Sequence, residues 1–329
     1  MKRSVRVRVA GDRRNIDLYD LLFAFGRNLL FFQKIESHLA EIEAKLRLER
    51  DKDVDNIVDE DFMAYPLGRK IKTIKQLSKD EFYDQSAWRE VVDARNLLAH
   101  AFFASNVDAL HKIDAQKALI SALDCSLSEL VLPRLALLNE RLADYGGEQN
   151  SPLQVSFWAP VAGSHERSMY IVNLIDIGDI LTMTGICQFE AERIETYLTV
   201  LKDIQDFVGS VEPARNSTLG KAVRALEQVI GEENKADTPG KIIRDLRNHL
   251  SHAYLVTAPE RYNTITGRDE SMDQLCLWLD DRFRVYLGML PEVVQKVRGL
   301  FEQTLSEELI AKIEQNQVWL KDRLEVRIV

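Results

Sequence analysis

Two short runs of the chain hold residue types able to do chemistry at a phosphate ester. They are RNLLAH at Arg95–His100 and RNHLSH at Arg247–His252. Each places an Arg, then an Asn, then three residues, then a His, inside an apolar stretch with helical spacing. Four residues along a helix bring Asn and His onto one face, one turn apart. The Arg sits on the neighbouring turn with a side chain long enough to reach that surface. Cleaving RNA without a metal requires three things: taking the 2′-hydroxyl proton, neutralising phosphate charge, and returning a proton to the leaving 5′-oxygen. An imidazole, whose ordinary pKa is about 6.5, serves either proton transfer near neutral pH. A guanidinium offers a fixed fork of donors to phosphate oxygens. Asn orients the His or donates to phosphate. Two such faces in one chain suggest a single composite site, with base and acid roles interchangeable at this stage.

Other polar residues carry weaker signals. Glu36 and Glu195 occupy matched positions, each followed by a hydroxyl residue (Ser37, Thr196). A hydrogen bond to the motif Arg or His is one reading of them; an exposed helix charge or an interhelical salt bridge is another of at least equal weight. His249 stands where the first copy has Leu97, and ordinary core or surface use is expected. His38 matches Tyr197, which favours aromatic packing. His111 and His165 belong to no recognisable motif of the sequence. Gly26 and Gly185, and the Leu-Gly steps at Leu67-Gly68 and Leu219-Gly220, suit close helix approach, since no glycine-rich phosphate loop exists. The basic N-terminal residues Lys2, Arg3, Arg6, Arg8, Arg13 and Arg14 read as charges guarding a strand edge before they read as an RNA feed.

The elements that position these residues follow from periodicity. SVRVRV at 4–9 alternates at period two, a strand. From Ile16 apolar residues recur at helical spacing through Leu46, which predicts one long amphipathic helix. Further helices are expected from about Leu67 to Leu77, from about Ser86 through the first motif, and over Ala115–Leu142 with a bend at Pro133. Tyr145-Gly146-Gly147 and Ser151-Pro152 form a linker candidate, and Leu153–Trp158 and Met169–Leu174 read as short strands. Then the pattern restarts: IDIGDIL at Ile175 repeats IDLYDLL at Ile16, a shift of 176 − 17 = 159 that persists through KIESHL and RIETYL. LGRKI at Leu67 and LGKAV at Leu219 are related by 219 − 67 = 152, and the same shift relates the two motifs. A repeat this long indicates two similar domains, 1–150 and 151–329. A last long helix is expected over Pro291–Leu320, followed by a strand, LEVRIV, suited to pair with SVRVRV.

Composition narrows the classes. A net charge of −9 excludes a general coat for nucleic acid, so extensive DNA binding is not expected. The three cysteines are scattered and lack metal-ligand spacing, which suits a reducing cytoplasm without disulfide framework or structural zinc. No apolar run suits a membrane span, and the charged MKRSVRVRV start has no apolar stretch of a signal peptide behind it.

The paired Arg-Asn-x-x-x-His motifs on late helices of helical bundles resemble the HEPN superfamily, whose signature is Arg-x4–6-His with a polar residue after the Arg. The resemblance covers each half from its first long helix through its motif. It implies a mainly α fold of two tandem HEPN-like bundles forming a pseudo-dimer, with minor β pairing near the termini and domain junction. It implies a metal-independent endoribonuclease needing no cofactor, with Arg95, Asn96, His100, Arg247, Asn248 and His252 converging on RNA at the interface. Toxin–antitoxin and antiviral defence settings are typical, so an antitoxin or defence-system protein is an expected partner, as is a second copy of the chain. One branch extends the motif to Arg-x4-His-x-Tyr and regulates it by adenylylation of the Tyr. Tyr254 fits that slot, whereas the first copy has Phe102. The competing reading is a non-catalytic scaffold or nucleotide-sensing module using the same surface.

Overall fold

A computed structural model describes residues 4–9, 18–50, 66–144, 177–208, 238–257, 261–262, 264–291 and 324–328, with 307 and 311 as isolated positions. Among these residues the fold is mainly helical, with one two-stranded sheet. Strand β1 (Val5–Val9) is followed by helices α1 (Tyr19–Arg50), α2 (Leu67–Ser78) and α3 (Gln85–His100), the last carrying the first motif. Helix α4 (Ile113–Cys125) passes through a π-helical segment, Ser126–Val131, into α5 (Leu132–Asp144). Helix α6 (Gly178–Val208) restarts the pattern, and α7 (Pro239–His252) carries the second motif. Helix α8 (Ile265–Leu277) runs into a second π-helical segment, Trp278–Arg284, and strand β2 (Leu324–Ile328) closes the order. The linker candidate, the expected strands at 153–158 and 169–174, the Leu-Gly step at 219–220 and most of the expected last helix lie outside the described residues.

The element boundaries repeat at the shifts read from the sequence. Helices α1 and α6 start 178 − 19 = 159 residues apart, and α3 and α7 end 252 − 100 = 152 apart. Helix α4 maps onto α8 at both ends by 152, and the π segments begin at 126 and 278, again 152 apart. This bears on Pro133, where a bend was expected. Its missing N–H leaves the carbonyl four residues back unpaired, and the wider π turn lies over that gap. Yet Val285 occupies the matched place in the second copy, so the π turn belongs to the repeat and the proline is accommodated by it.

Helices α1 and α6 pack closely against each other. Backbones meet where side chains vanish: a Cβ on Gly26 would stand 2.1 Å from the Leu181 carbonyl oxygen, and one on Gly185 2.9 Å from that of Leu22. Gly68 is different, because a Cβ there would be 3.7 Å from Val92 Cγ1, an ordinary contact. Helix α1 was expected to show water one polar face. Instead Asn28, Gln33, Lys34, Glu36 and His38 are all buried alongside Leu22, Phe25, Leu29, Ile35 and Leu39. It is enclosed on most of its circumference, so its polar residues must find partners inside the protein.

The strands pair antiparallel, Val5 opposite Ile328 and Val9 opposite Leu324, as the alternating patterns at both places anticipated. Arg6 and Arg8 point outward while Val5 packs inward. No helix among the described residues is long and apolar enough to cross a membrane.

Candidate functional site

Each motif arginine sits on the buried stripe of its helix. On α3 that stripe is Trp88, Val91, Arg95 and Leu98; on α7 it is Ile243, Arg247, Leu250 and Ser251. Thr238 starts α7 by accepting the Lys241 N–H, with Pro239 in the first turn, which fixes where Arg247 falls on the helix. One position round, Asn96 and Asn248 are exposed. His100 is exposed as well, and the His252 side chain is 13 % accessible. The arginines are therefore inside and the histidines at the rim.

The arginines do not serve their own histidines. Arg95 Nη2 contacts both ring nitrogens of His252, with Nε2 at 2.9 Å, while Arg247 Nη2 contacts Nδ1 of His100. Each fork also donates to a carboxylate of its own half: Arg95 Nε to Glu36 Oε1 at 2.7 Å, and Arg247 Nη2 to Glu195 Oε2 at 2.9 Å. Arg247 Nη1 donates to Asn248 at 3.1 Å, and its buried Nε has no partner among the described residues. Two further cross-links hold the ends of the motif helices. Gln33 of α1 accepts the Leu255 N–H at 2.9 Å and donates to the Leu250 carbonyl at 2.5 Å. Glu192 of α6, at the place matched to Gln33, accepts the Phe103 N–H at 2.9 Å and the Ala104 N–H at 3.2 Å.

Glu36 was weighed as a possible exposed charge. It is fully buried and saturated: besides Arg95, Lys70 Nζ donates to Oε2 at 2.6 Å, and His252 Nδ1 lies 3.0 Å from the same oxygen. Burial alone would raise its pKa, but Arg95, the hydrogen bond from His252 and Lys70 outweigh this and hold it down to about 2. A charged Glu36 accepts a hydrogen bond from Nδ1–H of His252, which favours the Nδ1–H tautomer with Nε2 as the acceptor toward Arg95. Burial lowers the pKa of His252, Arg95 and Lys70 lower it further, and Glu36 opposes them. Burial and then the nearby charge of Arg95 also pull Arg247 below its ordinary range, leaving it a cation at neutral pH.

Five of the six expected residues thus fall into two hydrogen-bonded sets, Arg95 with His252 and Arg247 with His100 and Asn248, and Asn96 is exposed. Tyr254 is not at the surface. It is buried, its hydroxyl donating to the Ser271 carbonyl at 3.0 Å, and burial raises its pKa. His249 packs edge-on against Tyr254 and Trp278, the core use expected of it, and His38 is buried like its counterpart Tyr197. Lys70 went unnoticed in the sequence. Its signal was a lysine in register with Leu67, Ile71 and Ile74 on the apolar face of α2. Among the described residues no group of His, Cys, Asp and Glu is arranged to hold a metal ion. Comparison with family models, with curated proteins and with solved structures finds no match to this chain.

Proposed function

We propose that the chain is a metal-independent endoribonuclease of HEPN type, built as an internal pseudo-dimer whose two motifs form one site. The observation that carries this reading is reciprocity: Arg95 pairs with His252, and Arg247 with His100. The same exchange appears in Gly26 with Leu181 against Gly185 with Leu22, and in Gln33 with Leu255 against Glu192 with Phe103. Reciprocal contacts between matched positions are what a twofold relation between two bundles produces.

In the resting state each guanidinium caps an imidazole lone pair. A phosphodiester entering between the histidines competes for both forks with its two non-bridging oxygens, and charge-assisted bidentate pairing favours the phosphate over a neutral ring. The imidazoles are thereby released. One takes the 2′-hydroxyl proton, the 2′-oxygen attacks phosphorus, and the bond to the 5′-oxygen breaks as the other histidine protonates it. Arg95 and Arg247 neutralise the charge that builds on the phosphoryl oxygens, where preorganised donors contribute most. Products carry 2′,3′-cyclic phosphate and 5′-hydroxyl ends, and DNA, lacking the nucleophile, is inert. The proposed setting is cytoplasmic, with RNA as substrate and an antitoxin or defence-system protein as regulator.

Incubating purified protein with RNA in EDTA tests this directly. Cleavage is expected to persist in EDTA, and His100→Ala or His252→Ala is expected to reduce it about 10²–10⁴-fold. Cleavage by the double variant at the wild-type rate overturns the reading. One feature favours a second reading, a nucleotide-binding module without turnover: both forks are already engaged inside the protein. A nucleotide that raises the melting temperature while RNA stays intact selects it.

A further inference from the structure

Lys70 is a buried ammonium on the apolar face of α2, beneath the rim that bears His252. A methionine or leucine would pack there without desolvating a charge, and burying a charge is weak support for stability. The repeat itself does not demand it, since Ala222 stands at the matched place in the second half of the sequence, 222 − 70 = 152 residues on. What Lys70 touches is the Glu36 oxygen that also faces His252 Nδ1. The two histidines are consequently held in different ways. His252 sits at the rim with a carboxylate on one ring nitrogen and Arg95 against the ring. His100 is exposed, and Arg247 is its partner.

We propose that Lys70, acting through Glu36, is a positioning residue that divides the labour of the composite site: it holds His252 as the neutral general base, and leaves solvent-exposed His100 as the general acid. This rests on the ribonuclease reading for its chemistry but not for its geometry. Glu36 keeps the Nδ1 proton, so the His252 lone pair that accepts the 2′-hydroxyl proton is on Nε2. The groups facing His252 are Glu36 from α1, Lys70 from α2 and Arg95 from α3. Two of these are cations, and together with burial they disfavour the imidazolium that a general acid needs. His100 also meets a cation, Arg247, but it faces water, which solvates its imidazolium and returns its proton after each turnover.

Two measurements test the division. In the first, an oligoribonucleotide carries sulfur in place of one bridging 5′-oxygen, so the leaving thiolate needs no proton. His100→Ala is expected to cut this substrate to within about tenfold of wild type while His252→Ala stays inactive, because only the general acid becomes dispensable. Rescue of His252→Ala, or of neither, overturns the assignment. In the second, the imidazole C–H resonances of His100 and His252 are titrated by NMR in wild type, Lys70→Met and Lys70→Arg. Lys70→Met is expected to move the His252 midpoint upward, because one facing cation is lost, and to leave His100 in place. Lys70→Arg keeps the charge and is expected to restore the wild-type midpoint. An unmoved His252 midpoint in Lys70→Met overturns the role of Lys70. If the midpoint moves as expected but neither RNA nor the sulfur substrate is cut, the ribonuclease reading fails and the positioning role stands.

Discussion

Glu36 and Glu192 show how one residue type, three residues apart in matched frames, takes opposite electrostatic roles. Glu36 is surrounded by Lys70, Arg95 and His252, and its pKa is held down to about 2. Its charged form is therefore favoured by folding: the stabilisation is present above the ordinary carboxyl pKa of 4.5 and is lost as pH falls toward 2. Glu36→Gln leaves two buried cations without their anion and is expected to cost about 3–5 kcal/mol at neutral pH. In denaturant titrations the deficit should narrow as the pH is lowered through that range. Glu192 is buried against two backbone N–H groups, and burial pushes its pKa well up. Here the charged form is disfavoured by folding, so stability falls as pH rises above 4.5. Among the described residues its Oε1 has no partner within hydrogen-bond geometry, whereas Gln33 at the matched place fills both ends of its amide. Glu192→Gln is expected to stabilise the protein by about 1–3 kcal/mol at neutral pH, with the gain vanishing in acid. The motif residues were legible in the sequence because the chain repeats them. Lys70 was not, since a lone lysine among helical residues carries no spacing signal unless its face is known.

At the scale of elements, the helix crossing depends on Gly26 more than on Gly185. A Cβ at Gly26 falls on a carbonyl oxygen of the facing backbone, which cannot rotate away. Gly26→Ala is expected to destabilise by about 1–3 kcal/mol, read as a lowered unfolding midpoint; Gly68→Ala, with open contact around it, is expected to be close to neutral. The period of the apolar residues placed α2 and α3 within a residue or two, because these helices do have a wet side. The same pattern misread α1 as amphipathic. Gln33, Lys34 and Glu36 look like a solvent face when only one helix is considered, yet all three are interior, with Lys70, Arg95 and His252 of the surrounding helices on Glu36. The π turns were invisible for another reason: Pro133, which drew attention to one of them, has no counterpart in the other, where Val285 stands.

For the molecule as a whole, the two histidine–arginine pairs lie within a single chain. Mixing His100→Ala protein with His252→Ala protein is therefore expected to restore no cleavage at any concentration, as assayed on RNA. Recovery on mixing would mean that the working site forms between chains. The reciprocal contacts also bear on what the two copies are free to become. In an assembly of identical subunits, any residue chosen for one side of the axis is imposed on the other. Here Lys70 answers to Ala222, Gln33 to Glu192 and Phe102 to Tyr254. On the proposed reading of the chain as an internal pseudo-dimer, covalent fusion releases each half from its mirror image, so the seam can specialise one flank without a compromise on the other.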